Sequence, residues 1–101
     1  AVISGNAGSA NLWFGDTDSV ARGGVRYYNS DDSMRFRTNG ADDRIIIKSD
    51  GKVGIGTSSP SVQLHIKKNA DAAIWLEADV DNSGTESDNA FIKLSQTYRS
   101  W

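Results

Sequence analysis

The stretch Arg44-Ile45-Ile46-Ile47-Lys48-Ser49-Asp50-Gly51-Lys52-Val53-Gly54-Ile55-Gly56 decides the fold. It is a short apolar run, a turn dipeptide, and a second run in which apolar residues alternate with glycine. Asp and Gly both tolerate positive φ, so Asp50-Gly51 predicts a tight hairpin joining Arg44–Lys48 to Lys52–Ile55. Val53 and Ile55 alternate with Gly54 and Gly56, which predicts one apolar face and one bare backbone face. A bare face admits another backbone at close range, such as that of a neighbouring subunit, so Gly54 and Gly56 are assigned as packing glycines.

Outward from this hairpin the same grammar repeats. Short apolar stretches divided by Gly, Asn, Asp and Ser predict strands near Asn11–Phe14, Gly24–Tyr28, Ser33–Arg37, Val62–Lys67, Ala73–Ala78 and Ala90–Ser95. Asn29-Ser30-Asp31-Asp32 suits a hairpin loop, Asn39-Gly40 a tight turn, and Pro60 an extended corner before the next strand. No stretch of a dozen residues keeps the i, i+3, i+4, i+7 apolar spacing of a helix; Asn69 to Glu77 comes nearest. The fold class is therefore all-β, with short antiparallel strands and hairpins. Alternation puts Met34 and Phe36 on one face of their strand, and Val62, Leu64 and Ile66 on one face of theirs, with Gln63, His65 and Lys67 opposite.

Such one-sided strands need a cover. Hydrophobic residues make up only 38% of the 101-residue chain, and mean hydropathy is −0.48. A chain this short buries a small share of its surface and needs a staple. Cysteine is absent, so disulfides are excluded, and with histidine occurring once no structural zinc site is expected. Partner subunits remain as the expected source of cover. Eleven basic and thirteen acidic residues, interspersed, give a net charge of −2 and no stripe suited to nucleic acid. No apolar run exceeds the five residues Ala72-Ala73-Ile74-Trp75-Leu76, and Ile45-Ile46-Ile47 is shorter still, so none is long enough to cross a membrane as a helix. No signal peptide is visible, and the expectation is a segment of a longer protein. We divide it into a hairpin segment over 1–68, ending in the glycine-rich motif and the strand after it, and the start of a second β-segment over 69–101.

A weak internal echo links Leu12-Trp13-Phe14, followed by Asp16-Thr17-Asp18, with Ile74-Trp75-Leu76, followed by Asp79-Val80-Asp81. Trp13 and Trp75 occupy equivalent positions beside apolar neighbours, and both are assigned to interface packing. Tyr27-Tyr28 sends one ring to each face of a strand, and these two are the candidates for receptor contact.

Chemistry-bearing patterns are few. Asp79-Val80-Asp81-Asn82-Ser83-Gly84 imitates the start of a calcium loop, but its twelfth position is Ala90, where a bidentate Glu belongs, so an Asx-rich turn is expected. Gly51, Gly54 and Gly56 lack dinucleotide-binding spacing, and no P-loop lysine follows. His65 has no evident catalytic companions, and the acid pairs Asp31-Asp32 and Asp42-Asp43 fall in expected turns. No catalytic residue, metal site or cofactor is assigned.

Asp50-Gly51-Lys52-Val53-Gly54-Ile55-Gly56-Thr57-Ser58-Ser59-Pro60, followed by Leu64-His65-Ile66, resembles the DGxVGIGTxxP…LxV segment of bacteriophage tail fibres, tailspikes and related appendages. The stretch from Trp75 to Asp79 and that from Asp88 to Gln96 are also similar to segments of such fibres. The resemblance implies an elongated, intertwined homotrimeric fibre on the virion tail, extracellular, structural and adhesive rather than enzymatic. It implies identical subunits, other tail or baseplate proteins, and a host-surface glycan or protein as partners. Two alternatives share the motif: part of a polysaccharide-degrading tailspike, and a fibre of a contractile injection system or bacterial surface appendage. The self-cleaving chaperone domain that often lies beyond such segments is not in this sequence, so autocleavage is not assigned.

Overall fold

The computed structural model describes residue 5, residues 7–78 and residues 89–96. Six strands form one sheet in chain order: β1 (Ser9–Phe14), β2 (Gly23–Tyr28), β3 (Ser33–Thr38), β4 (Ala41–Ile47), β5 (Val53–Ile55) and β6 (Leu64–Ile66). The first five are antiparallel neighbours, and β6 joins β5 in parallel. No helix occurs among the described residues, so the all-β reading holds.

Turn chemistry sets the meander. Asn39 and Gly40, at φ 51° and 69°, form the two-residue connection between β3 and β4, whose right-handed twist favours positive φ at both positions. A register shift lies between Phe36 and Thr38. Asp50-Gly51 closes the β4–β5 hairpin as expected. Lys48 N–H donates to Lys52 O at 2.9 Å, Gly51 N–H to Lys48 O at 2.9 Å, and Gly51 sits at φ 87°. The Asp50 carboxylate accepts from Lys52 N–H at 3.0 Å, which holds its pKa below the usual carboxylate range.

The β5–β6 connection departs from the hairpin pattern. Residues 56–63 carry the chain across one face of the sheet and return it parallel, a shorter crossover than the dozen or so residues usual for this linkage. Gly56, at φ 76°, makes the sharp exit, and Pro60 is buried in the crossover. The expected strands at Ala73–Ala78 and Ala90–Ser95 are not formed. Residues 71–78 and 89–96 carry no regular structure, for neither finds a backbone ladder to join.

Burial is sparse. Ile46 and Ser33, both at 0% exposure, are the fully buried side chains among the described residues. The radius of gyration is 19.0 Å, against about 13 Å expected for a self-contained chain of this length. One sheet with one buried isoleucine is a layer that lacks its second layer.

Candidate functional site

Register converts the sequence into two chemically distinct faces. Residues paired across a ladder project to the same side. One row runs Leu12, Val25, Phe36, Ile45, Ile55, Ile66 across all six strands. The next runs Ala10, Tyr27, Met34, Ile47, Val53, Leu64. These two rows contain no charged residue, and their one polar atom is the Tyr27 hydroxyl, which donates to Asp32 Oδ1 at 3.0 Å. That bond to a carboxylate raises the Tyr27 pKa. Leu12, Ile45, Ile55 and Leu64 remain exposed. With strands about 4.8 Å apart and rising about 3.3 Å per residue, the face covers roughly 400 Å² in projection, within the range of the largest apolar patch on a lone soluble chain and of a size that is often functional.

The opposite face is polar and cationic. Trp13, Gly24 and Arg37 form one row; Asn11, Arg26, Arg35, Ile46, Gly54 and His65 form the next. The Trp13 ring lies over Gly24, so that a Cβ there would stand 2.6 Å from Trp13 Cε3. Guanidinium groups and rings alternate. Arg37 Cζ is 5.4 Å and Arg26 Cζ 5.1 Å from the Trp13 centroid; Arg26 Cζ is 4.6 Å and Arg35 Cζ 4.1 Å from the Tyr28 centroid. All four lie within cation–π range. Arg26 Nε donates to Asn11 Oδ1 at 3.0 Å and Arg37 Nε to Ala21 O at 3.0 Å.

Asp31 anchors the far end of this ladder. Its carboxylate accepts from Ser33 Oγ at 2.6 Å and from Arg35 Nη2 at 2.8 Å, and Lys48 Nζ stands 3.4 Å away. The Ser33 hydrogen bond first, then Arg35 and Lys48, hold the Asp31 pKa down at about 2. Asp31 thus orders the cationic face, a role its position in a turn did not disclose.

The crossover closes the rest of this face. A Cβ at Gly54 would collide with Thr57 O and stand 3.0 Å from Ile46 Cγ2, and one at Gly56 would collide with Lys67 O. The backbone approaching both glycines is the chain's own. Trp13 lies on the cationic face, opposite the apolar rows; Trp75 lies off the sheet and is 82% exposed. Tyr27 and Tyr28 take opposite faces, Tyr27 among the apolar rows and Tyr28 within the arginine ladder.

His65 has a neighbour that sequence reasoning missed. Ser61 N–H donates to His65 Nδ1 at 3.2 Å, with Ser61 Oγ at 3.5 Å. The amide already uses the Nδ1 lone pair, so this pair holds the crossover and does not present a base to a nucleophile. The four-residue spacing was the available signal. In the loop before β2, Asp16 Oδ1 accepts from Asp18 and Ser19 N–H at 3.0 and 2.8 Å, an Asx turn. No cluster of three metal-ligating side chains occurs among the described residues, and Asp79 to Gly84 lie outside them.

No protein family, curated protein or solved structure matches this chain.

Proposed function

We propose that this chain is a structural and adhesive segment of an extracellular fibre of the virion-tail type, assembled as a homotrimer. The two uncovered apolar rows carry this reading. A sheet with one buried isoleucine cannot offset the entropy of ordering its strands, roughly 1–2 kcal/mol per residue. Three copies packing these rows together would build the missing core, with closed symmetry to satisfy every copy alike. The likeness of Asp50–Pro60 to the tail-fibre segment supports the same class, and points to host attachment as its role. The exposed apolar residues beyond the sheet, among them Phe91 and Leu94, add surface for sister chains to cover.

Sedimentation equilibrium at micromolar concentration tests the assembly: three chains are expected, and a compact, folded monomer would defeat the proposal. The segment acts by presenting a surface and has no catalytic activity of its own.

A further inference from the structure

We infer that the cleft at the end of the β5–β6 pair binds a phosphate monoester carried on a sugar. The site is built within one chain, so the inference goes beyond the fibre reading and does not rest on it.

The cleft holds about 510 Å³. Gly56, Thr57 and Ser58, from the start of the crossover, line one side; Lys67, Lys68 and Asn69, from just beyond β6, line the other. Gly56 brings the two segments together. Its φ of 76° turns the chain out of the sheet, and its missing side chain lets Lys67 O come against it, where a Cβ would collide. Lys67 N–H donates to Ile55 O at 2.9 Å and so extends the parallel ladder. Gly56 and Lys67 each lie one residue past the Ile55–Ile66 pair, and alternation turns them away from the apolar rows.

The lining selects for an anion. Each of its side chains can donate a hydrogen bond, and none is a carboxylate. Among the described residues, the side chains of Ser58, Lys67, Lys68 and Asn69 have no hydrogen-bond or ion-pair partner. Thr57 Oγ1 accepts from Ser59 N–H at 3.2 Å, which leaves its hydroxyl hydrogen to donate. Lys67 and Lys68 also border a second cleft of about 490 Å³, which adds Arg44 and Asp71. Asp71 makes no ion pair with any of these cations, so Arg44, Lys67 and Lys68 stand against a single carboxylate. A phosphate monoester, with a charge of about −1.5 to −2 at pH 7, balances that excess.

Donor type narrows the class further. The planar fork of arginine is matched to a carboxylate, and no arginine lines the first cleft. Ammonium groups act as point charges, which suits the tetrahedral oxygens of a phosphate. The cleft has the size of a small-ligand site and is roomier than a bare phosphate needs. Ser58 and Asn69 supply neutral partners for the hydroxyls of a sugar. The spacing of Gly51, Gly54 and Gly56 argued against a nucleotide loop because no P-loop lysine follows them. The fold brings its lysines from the far end of the crossover instead.

The test is a two-dimensional NMR titration of the full chain with glucose 6-phosphate, beside inorganic phosphate, glucose 6-sulfate, glucuronate and glucose. Glucose 6-phosphate should give saturable shifts at the amides of residues 56–58 and 67–69, and bind more tightly than the other four. Lys67→Gln and Lys68→Gln should each weaken it about three- to fivefold, the modest effect of a solvent-exposed charge pair. Both lysines are exposed, so both variants keep the fold, and unchanged amide positions in β1–β4 check this. No saturable shift, shifts confined to other residues, equal affinity for glucuronate or glucose 6-sulfate, or unchanged affinity in both variants would overturn the inference. Inorganic phosphate binding as tightly as glucose 6-phosphate would overturn the sugar ester as the ligand. None of these outcomes depends on whether the chain sediments as a trimer, which tests the fibre reading separately.

Discussion

Arg26 and Arg35 face each other across β2 and β3, and the Tyr28 ring takes both guanidinium groups, at 4.6 and 4.1 Å from its centroid. Two positive charges at directly opposed positions would ordinarily loosen a sheet. Here the ring's negative face and the Asp31 carboxylate, 2.8 Å from Arg35, compensate. The arrangement lets one face of the sheet carry concentrated charge while the other carries none.

Asp31 is therefore expected to matter more than a turn aspartate usually does. Asp31→Asn removes the charge that accepts from Ser33 and Arg35 and stands beside Lys48. Loss of about 1–2 kcal/mol is expected, discounted for partial exposure. Because the folded pKa is depressed to about 2 from 3.8, this stability is fully present above pH 3.8 and is lost as pH falls through 2. Thermal melts across that window should show the wild type losing an advantage over Asp31→Asn as pH falls. Parallel pH profiles would contradict the assignment.

The glycines of the Val53-Gly54-Ile55-Gly56 run should be unequal to Gly51. All three replacements by alanine add a methyl, but Gly51 has only Gln63 Nε2 nearby, at 3.7 Å. Gly54 and Gly56 instead meet the carbonyls of Thr57 and Lys67. Gly51→Ala should cost about 1 kcal/mol for its positive φ. Gly54→Ala should cost about 1–3 kcal/mol from overpacking, and Gly56→Ala more, with both penalties combined. Melting temperatures in the order Gly51→Ala above Gly54→Ala above Gly56→Ala are the expected outcome.

A charge placed on the apolar rows should dissolve the proposed trimer. Phe36 and Ile45 are cross-strand partners at the centre of the face. In the proposed trimer, Ile45→Lys or Phe36→Lys would bury an ammonium against sister chains without a partner, costing several kcal/mol per copy. The sedimenting species should fall from three chains to one, with loss of sheet signal in circular dichroism. An intact trimer carrying either lysine would place the interface elsewhere.

Incubation with bacterial capsule or lipopolysaccharide should release no new reducing ends. Glycan cleavage needs two carboxyl groups set across a bound sugar, one of them protonated near neutral pH. Asp31 and Asp50 are both held below the usual carboxylate range, which suits an ion-pair anchor and a turn rather than a general acid. Reducing ends that vanish when an Asp or Glu is changed to its amide would support the tailspike alternative.

Alternation and turn chemistry are local properties, and the sequence by itself determined the features that depend on them alone. The period-2 pattern of Met34 and Phe36, or of Leu64 and Ile66, assigns each strand its apolar side. Asn39-Gly40 and Asp50-Gly51 supply residues that tolerate positive φ, adopted at Asn39, Gly40 and Gly51, and so place two turns without reference to the rest of the chain. Leu12-Trp13-Phe14 contained a further signal: the central residue of three must face away from its neighbours, which separates Trp13 from the apolar rows. Other features depend on register, which no single strand encodes. Arg26 meets Arg35, and Trp13 settles over Gly24, because two hairpins have the lengths they do. The parallel return of β6 was hidden for the same reason, since Pro60 marks a corner but not the direction taken after it. Ile45, Ile46 and Ile47 are chemically identical in sequence. Only the crossover decides that Ile46 is buried while its two neighbours stay exposed, because burial depends on which backbone passes overhead.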